Sequence, residues 1–213
     1  MNMKNLLLSA FMLCATFASG QIFAEKTFKG LYINKFDEIL GNPAKEDSVL
    51  NYIYQNRFNS ISLYDLHKVH FDSTPQVLQL ASFIRRARLM NVTRVGATAE
   101  NAWFMENRII PYNQSQRSAA SKFNVLNLEF EFWNEKLVES YYCPTYLSTV
   151  DQECTMENIF RFYIEQLTRI KTLAVQNKLE TEVYLGWFTL EQARLIMPLT
   201  NRILLHSYTP HTT

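Results

Sequence analysis

Six short runs of β-forming residues alternate with helical stretches along this chain, and that order constrains the fold more than any other feature. Residues 30–34 (GLYIN), 60–66 (SISLYDL), 93–97, 125–133, 182–188 and 203–208 read as strands. Between them, residues 45–57 place Val49, Leu50, Ile53 and Tyr54 at helical spacing, and a second helix opens on Ser73, Thr74 and Pro75 and runs to about Met90. A polar stretch after the third strand predicts a long loop with a short helix near 115–122. Residues 156–177 carry Ile159, Phe160, Tyr163, Ile164, Leu167, Ile170, Leu173 and Ala174 on one helical face, and 190–199 predict a short helix.

Strict βα alternation with near-continuous apolar strands predicts a parallel sheet covered by helices. No glycine-rich phosphate loop follows the first strand, which removes the usual signature of an open nucleotide-binding sheet. The expected fold is therefore α/β of (β/α)8 TIM-barrel type. A complete barrel takes about 250 residues, whereas this chain of 213 supplies about six βα units. The sequence thus reads as an incomplete barrel, either a shortened form of a longer protein or a reduced, open one. With no internal repeat and no linker, residues 21–213 are expected to form one domain.

Residues 1–20 read as a secretory signal peptide: a basic start through Lys4, an apolar run, then Ala18 and Gly20 at the positions a cleavage site favours. Export, to the periplasm or beyond, is the expectation. The run is shorter than the roughly 20 residues a membrane span needs, so no membrane association is expected after cleavage. Export also bears on the cysteines. Cys14 lies in the leader, leaving Cys143 and Cys154, which an oxidising compartment would join in a disulfide; a pair of free buried thiols is the alternative. Lys and Arg number 21 against 20 Asp and Glu, a balance that gives no cationic field for nucleic acid.

The fourth strand is the most informative segment. In residues 125–133, Leu126, Leu128, Phe130 and Phe132 share one face, and Asn127, Glu129, Glu131 and Trp133 share the other. If the apolar face meets the helices, the two glutamates point into the barrel. Buried ionised carboxylates cost several kcal/mol each unless paired or protonated, and two acids about 7 Å apart on one strand face should raise at least one pKa. A carboxyl group kept protonated in this way is a proton donor. A solvated edge strand, or a structural ion pair with Arg94 or Arg202, is the plainer alternative.

Asn124, Asn127, Glu129 and Glu131 resemble a degenerate form of the strand-four motif D-x-x-D-x-D-x-E of the chitinase and endo-β-N-acetylglucosaminidase family, glycoside hydrolase family 18. Glu131 falls on that family's catalytic glutamate; Asn124, Asn127 and Glu129 replace its aspartates. On strand six, Leu205-His206-Ser207-Tyr208-Thr209 is similar to the M-x-Y-D stretch, with Tyr208 on the tyrosine and Thr209 replacing the aspartate. The resemblance implies a substrate-assisted hydrolase of N-acetylglucosamine-containing glycans, a family that departs from the two-carboxylate scheme. Glu131 would protonate the glycosidic oxygen while Glu129 and Tyr208 orient the attacking acetamido group.

A second resemblance uses the same strand. Asn134-Glu135 is similar to the strand-four ending of clan A retaining glycosidases, and His206-x-Tyr208 to their strand-six His-x-Tyr, which would make Glu135 the acid/base and Asn134 a binder of the sugar 2-hydroxyl. Lys136 stands where that clan has proline, and its second carboxylate, on strand seven, has no counterpart here. A third possibility is a non-catalytic glycan-binding protein that keeps the cleft.

Tyr64, Trp103, Trp133, Trp187 and Tyr208 fall near expected C-terminal strand ends, where aromatic faces can stack on sugar rings. Asp65 and Glu100 are expected at the same mouth. The proposed partner is an oligo- or polysaccharide, with no cofactor and no metal: His67 and His70 lack a third ligand at suitable spacing, and no serine sits in a G-x-S-x-G elbow. Asn91-Val92-Thr93 and Asn113-Gln114-Ser115 match the glycosylation sequon.

Overall fold

A computed structural model describes residues 28–205. Six parallel strands form one sheet in sequence order: β1 Gly30–Ile33, β2 Ser60–Leu63, β3 Arg94–Ala99, β4 Val125–Glu129, β5 Glu180–Leu185 and β6 Arg202–Leu205. Each is paired in parallel with the next, the pattern that strict βα alternation predicts. The sheet is strongly curled. Tyr32 on β1 reaches across to Asn127 and Glu129 on β4, and the Arg202 guanidinium on β6 lies 3.9 Å from the centre of the Phe28 ring just before β1. The result is an α/β half-barrel, consistent with an incomplete barrel.

The crossovers are helical. Helix α1, Pro43–Gln55, starts with Asn42 accepting from the Lys45 amide and Pro43 in the first turn, a start that fills an orphan amide position and fixes φ. Helix α2 spans Thr74–Leu89 and buries Leu80, Phe83, Ile84 and Ala87. The stretch expected to be a loop after β3 is instead helical: α3 Ala102–Phe104, a π-helical turn Met105–Ile109 and α4 Ile110–Ser115 run in succession. It buries Phe104, Met105, Ile109, Ile110 and Tyr112 in the core and is anchored by polar contacts. Buried Gln166 accepts from the Ala102 amide, and Asn113 both donates to the Phe123 carbonyl and accepts from the Phe123 amide. That clasp buries Asn113 at 7% exposure, so its sequon offers no acceptor to a glycosylating enzyme, while Asn91 is exposed.

After β4 come α5 Glu135–Leu137 and a π-helical stretch Val138–Leu147, which leads to a disulfide between Cys143 and Cys154, the pairing expected from the sequence. Helix α6, Met156–Asn177, lays Ile159, Tyr163, Leu167, Ile170 and Ala174 against the sheet. Helix α7, Leu190–Ile196, begins with a reciprocal capping box between Thr189 and Gln192. Among the described residues, no helix is long and apolar enough to cross a membrane.

The helix-facing side of the sheet is apolar: Ile61, Leu63, Val95, Ala97, Leu126, Leu128, Val183 and Leu185 are fully buried in one core. The concave side is polar. Register aligns Thr98, Asn127, Glu182 and Arg202 in one row and Glu129 with Tyr184 in the next. Strand four is shorter than its alternation suggests. Its neighbours end their pairing at Ala99 opposite Leu128 and at Tyr184 opposite Glu129, so the ladder stops at Glu129, although burial still alternates through Phe130, Glu131, Phe132 and Trp133. Phe130 stacks on Tyr142 and Phe132 packs on Tyr163, which fixes the backbone on both sides of Glu131.

Candidate active site at the C-terminal ends of the strands

Asn127 and Glu129 point into the concave face, as alternation requires. Asn127 is fully buried and donates from Nδ2 to Glu182 Oε1 at 2.9 Å. Glu182 Oε2 lies 3.5 Å from both Arg94 and Arg202, and Arg94 also pairs with Glu180. Above this charged base, the Tyr32 hydroxyl stands 3.0 Å from Asn127 Oδ1 and 2.5 Å from Glu129 Oε2.

A tyrosine has one hydroxyl hydrogen and two acceptors face it here. With Glu129 ionised, the hydrogen goes to Glu129 and the buried Asn127 carbonyl oxygen faces a lone pair. With Glu129 protonated, Glu129 donates to Tyr32, Tyr32 donates to Asn127 and Asn127 donates to Glu182, so both oxygens facing the Tyr32 hydroxyl take part in a hydrogen bond. The electrostatics agree. Burial raises the Glu129 carboxyl above its usual range, repulsion from Glu131, Glu100 and Asp65 adds to this, and the Tyr32 bond only partly opposes it. Burial, then the Glu129 charge, likewise raises Tyr32 well above an ordinary phenol.

Glu131 sits beyond the ladder in the turn after β4. Its amide donates to the Tyr142 hydroxyl at 3.0 Å, and its Oε2 accepts from Asn134 Nδ2 at 2.9 Å. It lines a cavity of about 510 Å3 with Trp133, Asn134, Glu135, Lys136, Gly186 and Trp187. Trp187 is 83% exposed and Trp133 half-buried. Gly186 is there for space: a Cβ would lie 2.4 Å from Trp133 Nε1. Glu135 is exposed in the first turn of α5. Asn134 is the cap of that turn, accepting from the Leu137 amide while donating to Glu131; both ends of its amide are engaged.

Asp65 ends its segment in left-handed backbone and binds Lys68 at 2.8 Å and the Lys35 amide at 3.0 Å. Burial opposes its ionisation, but those partners outweigh it and hold its carboxyl below the usual range. It lines a second cavity of about 300 Å3 on the β2–β3 side, together with Tyr64, Glu100, Trp103 and Tyr146. Of the expected site residues, Glu129 and Asn127 thus lie in the concave face, Glu131, Trp133, Asn134, Glu135 and Trp187 around one cavity, and Asp65 in its neighbour. Tyr208 and His206 lie outside the described residues, as does the leader.

Asn124, aligned with the first aspartate of the motif, is structural. It accepts from the Val95 amide and from Arg88 and donates to the Thr93 carbonyl, fastening the start of β3 to β4. Sequence reasoning missed Tyr32. The available signal was its position on β1, on the face opposite the buried Ile33, but nothing in the sequence pairs it with a residue 97 positions away. Among the described residues, no group of three or more His, Cys, Asp or Glu could hold a metal ion. Comparisons with protein families, with curated proteins and with solved structures found no match to this chain.

Proposed function

We propose that this is an exported glycoside hydrolase of TIM-barrel type, acting on N-acetylglucosamine-containing glycans, with Glu131 as proton donor. The observation that carries this reading is the cavity at the C-terminal strand ends, where a half-buried Glu131 held by Asn134 stands among Trp133 and Trp187. Exposed indole faces suit the apolar C–H faces of sugar rings, and strand ends are where barrel enzymes place their chemistry. Glu129, which precedes Glu131 on the same face, would orient the acetamido group that attacks the anomeric carbon, a role the family resemblance also gives to Tyr208, outside the described residues. Glu135 is the weaker donor: it is exposed, and the Asn134 amide that the clan A scheme reserves for the sugar is engaged at both ends.

The test is hydrolysis of a chromogenic N-acetylglucosamine oligomer. Glu131→Gln should abolish turnover with the fold intact by circular dichroism, while Glu135→Gln should retain most of it. Unchanged turnover in Glu131→Gln removes Glu131 from the mechanism.

One observation favours a non-catalytic glycan binder instead. Asn127, in place of a family aspartate, is fully buried and committed to Glu182, and an amide cannot take up a proton at that position. Calorimetric binding of the oligomer by the wild-type chain with no product release would select that reading.

A further inference from the structure

The cavity on the β2–β3 side has a chemistry of its own. Tyr64, Trp103, Tyr141 and Tyr146 supply aromatic walls around Glu100. The Glu100 Oε2 accepts from the Tyr141 hydroxyl at 3.0 Å and the Tyr146 hydroxyl at 3.2 Å, two neutral donors that fix the carboxylate without neutralising it. Among the described residues it makes no salt bridge, and the basic side chain of the lining, His67, follows Asp65 in the chain. Asp65, the other acid of the cavity, is already matched by Lys68. An aromatic enclosure around one fixed, uncompensated carboxylate favours a ligand that is positively charged: the ring faces attract a cation through their quadrupoles, and the carboxylate accepts its N–H bonds. A neutral sugar would use the aromatic walls and leave the charge unanswered.

We propose that this cavity binds a protonated primary amine carried on a ring-sized scaffold. On the glycosidase reading above, on which this identification of the scaffold rests, the ligand is an amino sugar lacking its acetyl group, so the preferred glycan is partly de-N-acetylated. The cavity neighbours the concave face, since the Tyr64 ring lies 6.4 Å from the ring of Tyr32, which meets Glu129; an amine unit held there would set which sugar of the chain faces Glu131.

The experiment is calorimetric titration of the whole chain with glucosamine, N-acetylglucosamine and cyclohexylamine near neutral pH. Glucosamine should bind, and N-acetylglucosamine should bind at least tenfold more weakly. Glu100→Gln should weaken glucosamine binding by about tenfold or more, the scale of a lost charge-assisted bond. Trp103→Ala, at an exposed position where folding is not at stake, should weaken it by roughly two- to fivefold. Cyclohexylamine separates the two readings: if it binds and responds to Glu100→Gln while no glycan is hydrolysed, the cation site stands and the glycosidase reading falls. Equal binding of glucosamine and its acetylated form, or a Glu100→Gln variant that binds glucosamine as the wild type does, overturns the proposal.

Discussion

Replacing Glu129 with glutamine should make this protein more stable at neutral pH, and the gain should grow with pH. The carboxyl is largely buried, with its pKa raised first by that burial and then by Glu131, Glu100 and Asp65. A carboxyl whose folded pKa exceeds its unfolded value binds its proton more tightly in the folded state. Stability is then highest below the unfolded pKa, falls as pH rises from there through the folded pKa, and levels off above it. Glutamine removes that dependence. Its amide can donate to the Tyr32 oxygen as the protonated acid does, leaving the Tyr32 hydrogen for Asn127 Oδ1, 3.0 Å away. The variant therefore keeps the satisfied network at every pH. Leaving a buried polar group unsatisfied costs on the order of 1–3 kcal/mol, so a gain of about 1 kcal/mol above neutrality is expected, which for a chain of this size is about 2–4 °C in Tm. Thermal melts of wild type and Glu129→Gln from pH 4 to 8 should diverge as pH rises from the unfolded carboxyl value to the folded one. Parallel curves, or a variant less stable at pH 8 than at pH 5 relative to wild type, would show that Glu129 is ionised in comfort and that the proton count above is wrong.

Four further outcomes follow from named contacts. Tyr32→Phe strips both Asn127 Oδ1 and Glu129 of a partner and should cost about 2–3 kcal/mol in urea unfolding; a loss below 0.5 kcal/mol, roughly the floor for a hydrogen bond, would mean that the network contributes no stability. Glu182→Ala leaves Arg94 and Arg202 facing each other without their shared carboxylate, and denaturation should show a loss of about 3–5 kcal/mol. Replacing Cys143 and Cys154 together by serine opens a short loop of separation 11 and should lower stability by about 2–3 kcal/mol, whereas an unchanged melt under reducing conditions would count against the bridge. Tyr163→Phe deletes a buried hydroxyl that meets no hydrogen-bond partner among the described residues and should leave stability unchanged or raise it by about 1 kcal/mol; a clear loss would reveal a partner for that hydroxyl.

Much of this fold was legible because its signals are local. All six expected strands begin within two residues of their observed starts, and α6 matches residues 156–177 in full, since its apolar spacing needs no tertiary information. The helices after β3 were not legible. Ala102–Ser115 carries a proline and interspersed polar residues that break the apolar period, and its order comes from tertiary burial of Phe104, Met105, Ile109, Ile110 and Tyr112 together with the Gln166–Ala102 and Asn113–Phe123 contacts. The end of β4 was hidden for a related reason. Alternation continues through Trp133, but pairing depends on where β3 and β5 stop, which no property of β4 itself encodes.

The candidate site shows the same division. A period of two states that Asn127 and Glu129 share a face; it does not state what they meet there. The answer lies in the sheet's curvature, which brings Tyr32 across from β1 and sets Arg94 and Arg202 beneath Glu182. Those contacts also settle how the interior balances its charge. Arg94 and Arg202 face Glu180 and Glu182 at the base of the concave side, two cations against two anions, so neither arginine is left over for the acid higher up. Glu129 has the Tyr32 phenol for company and three other carboxylates nearby. Among the described residues no cation pairs with it, and burial raises its carboxyl above the usual range, which makes Glu129 the group through which the stability of this interior depends on pH.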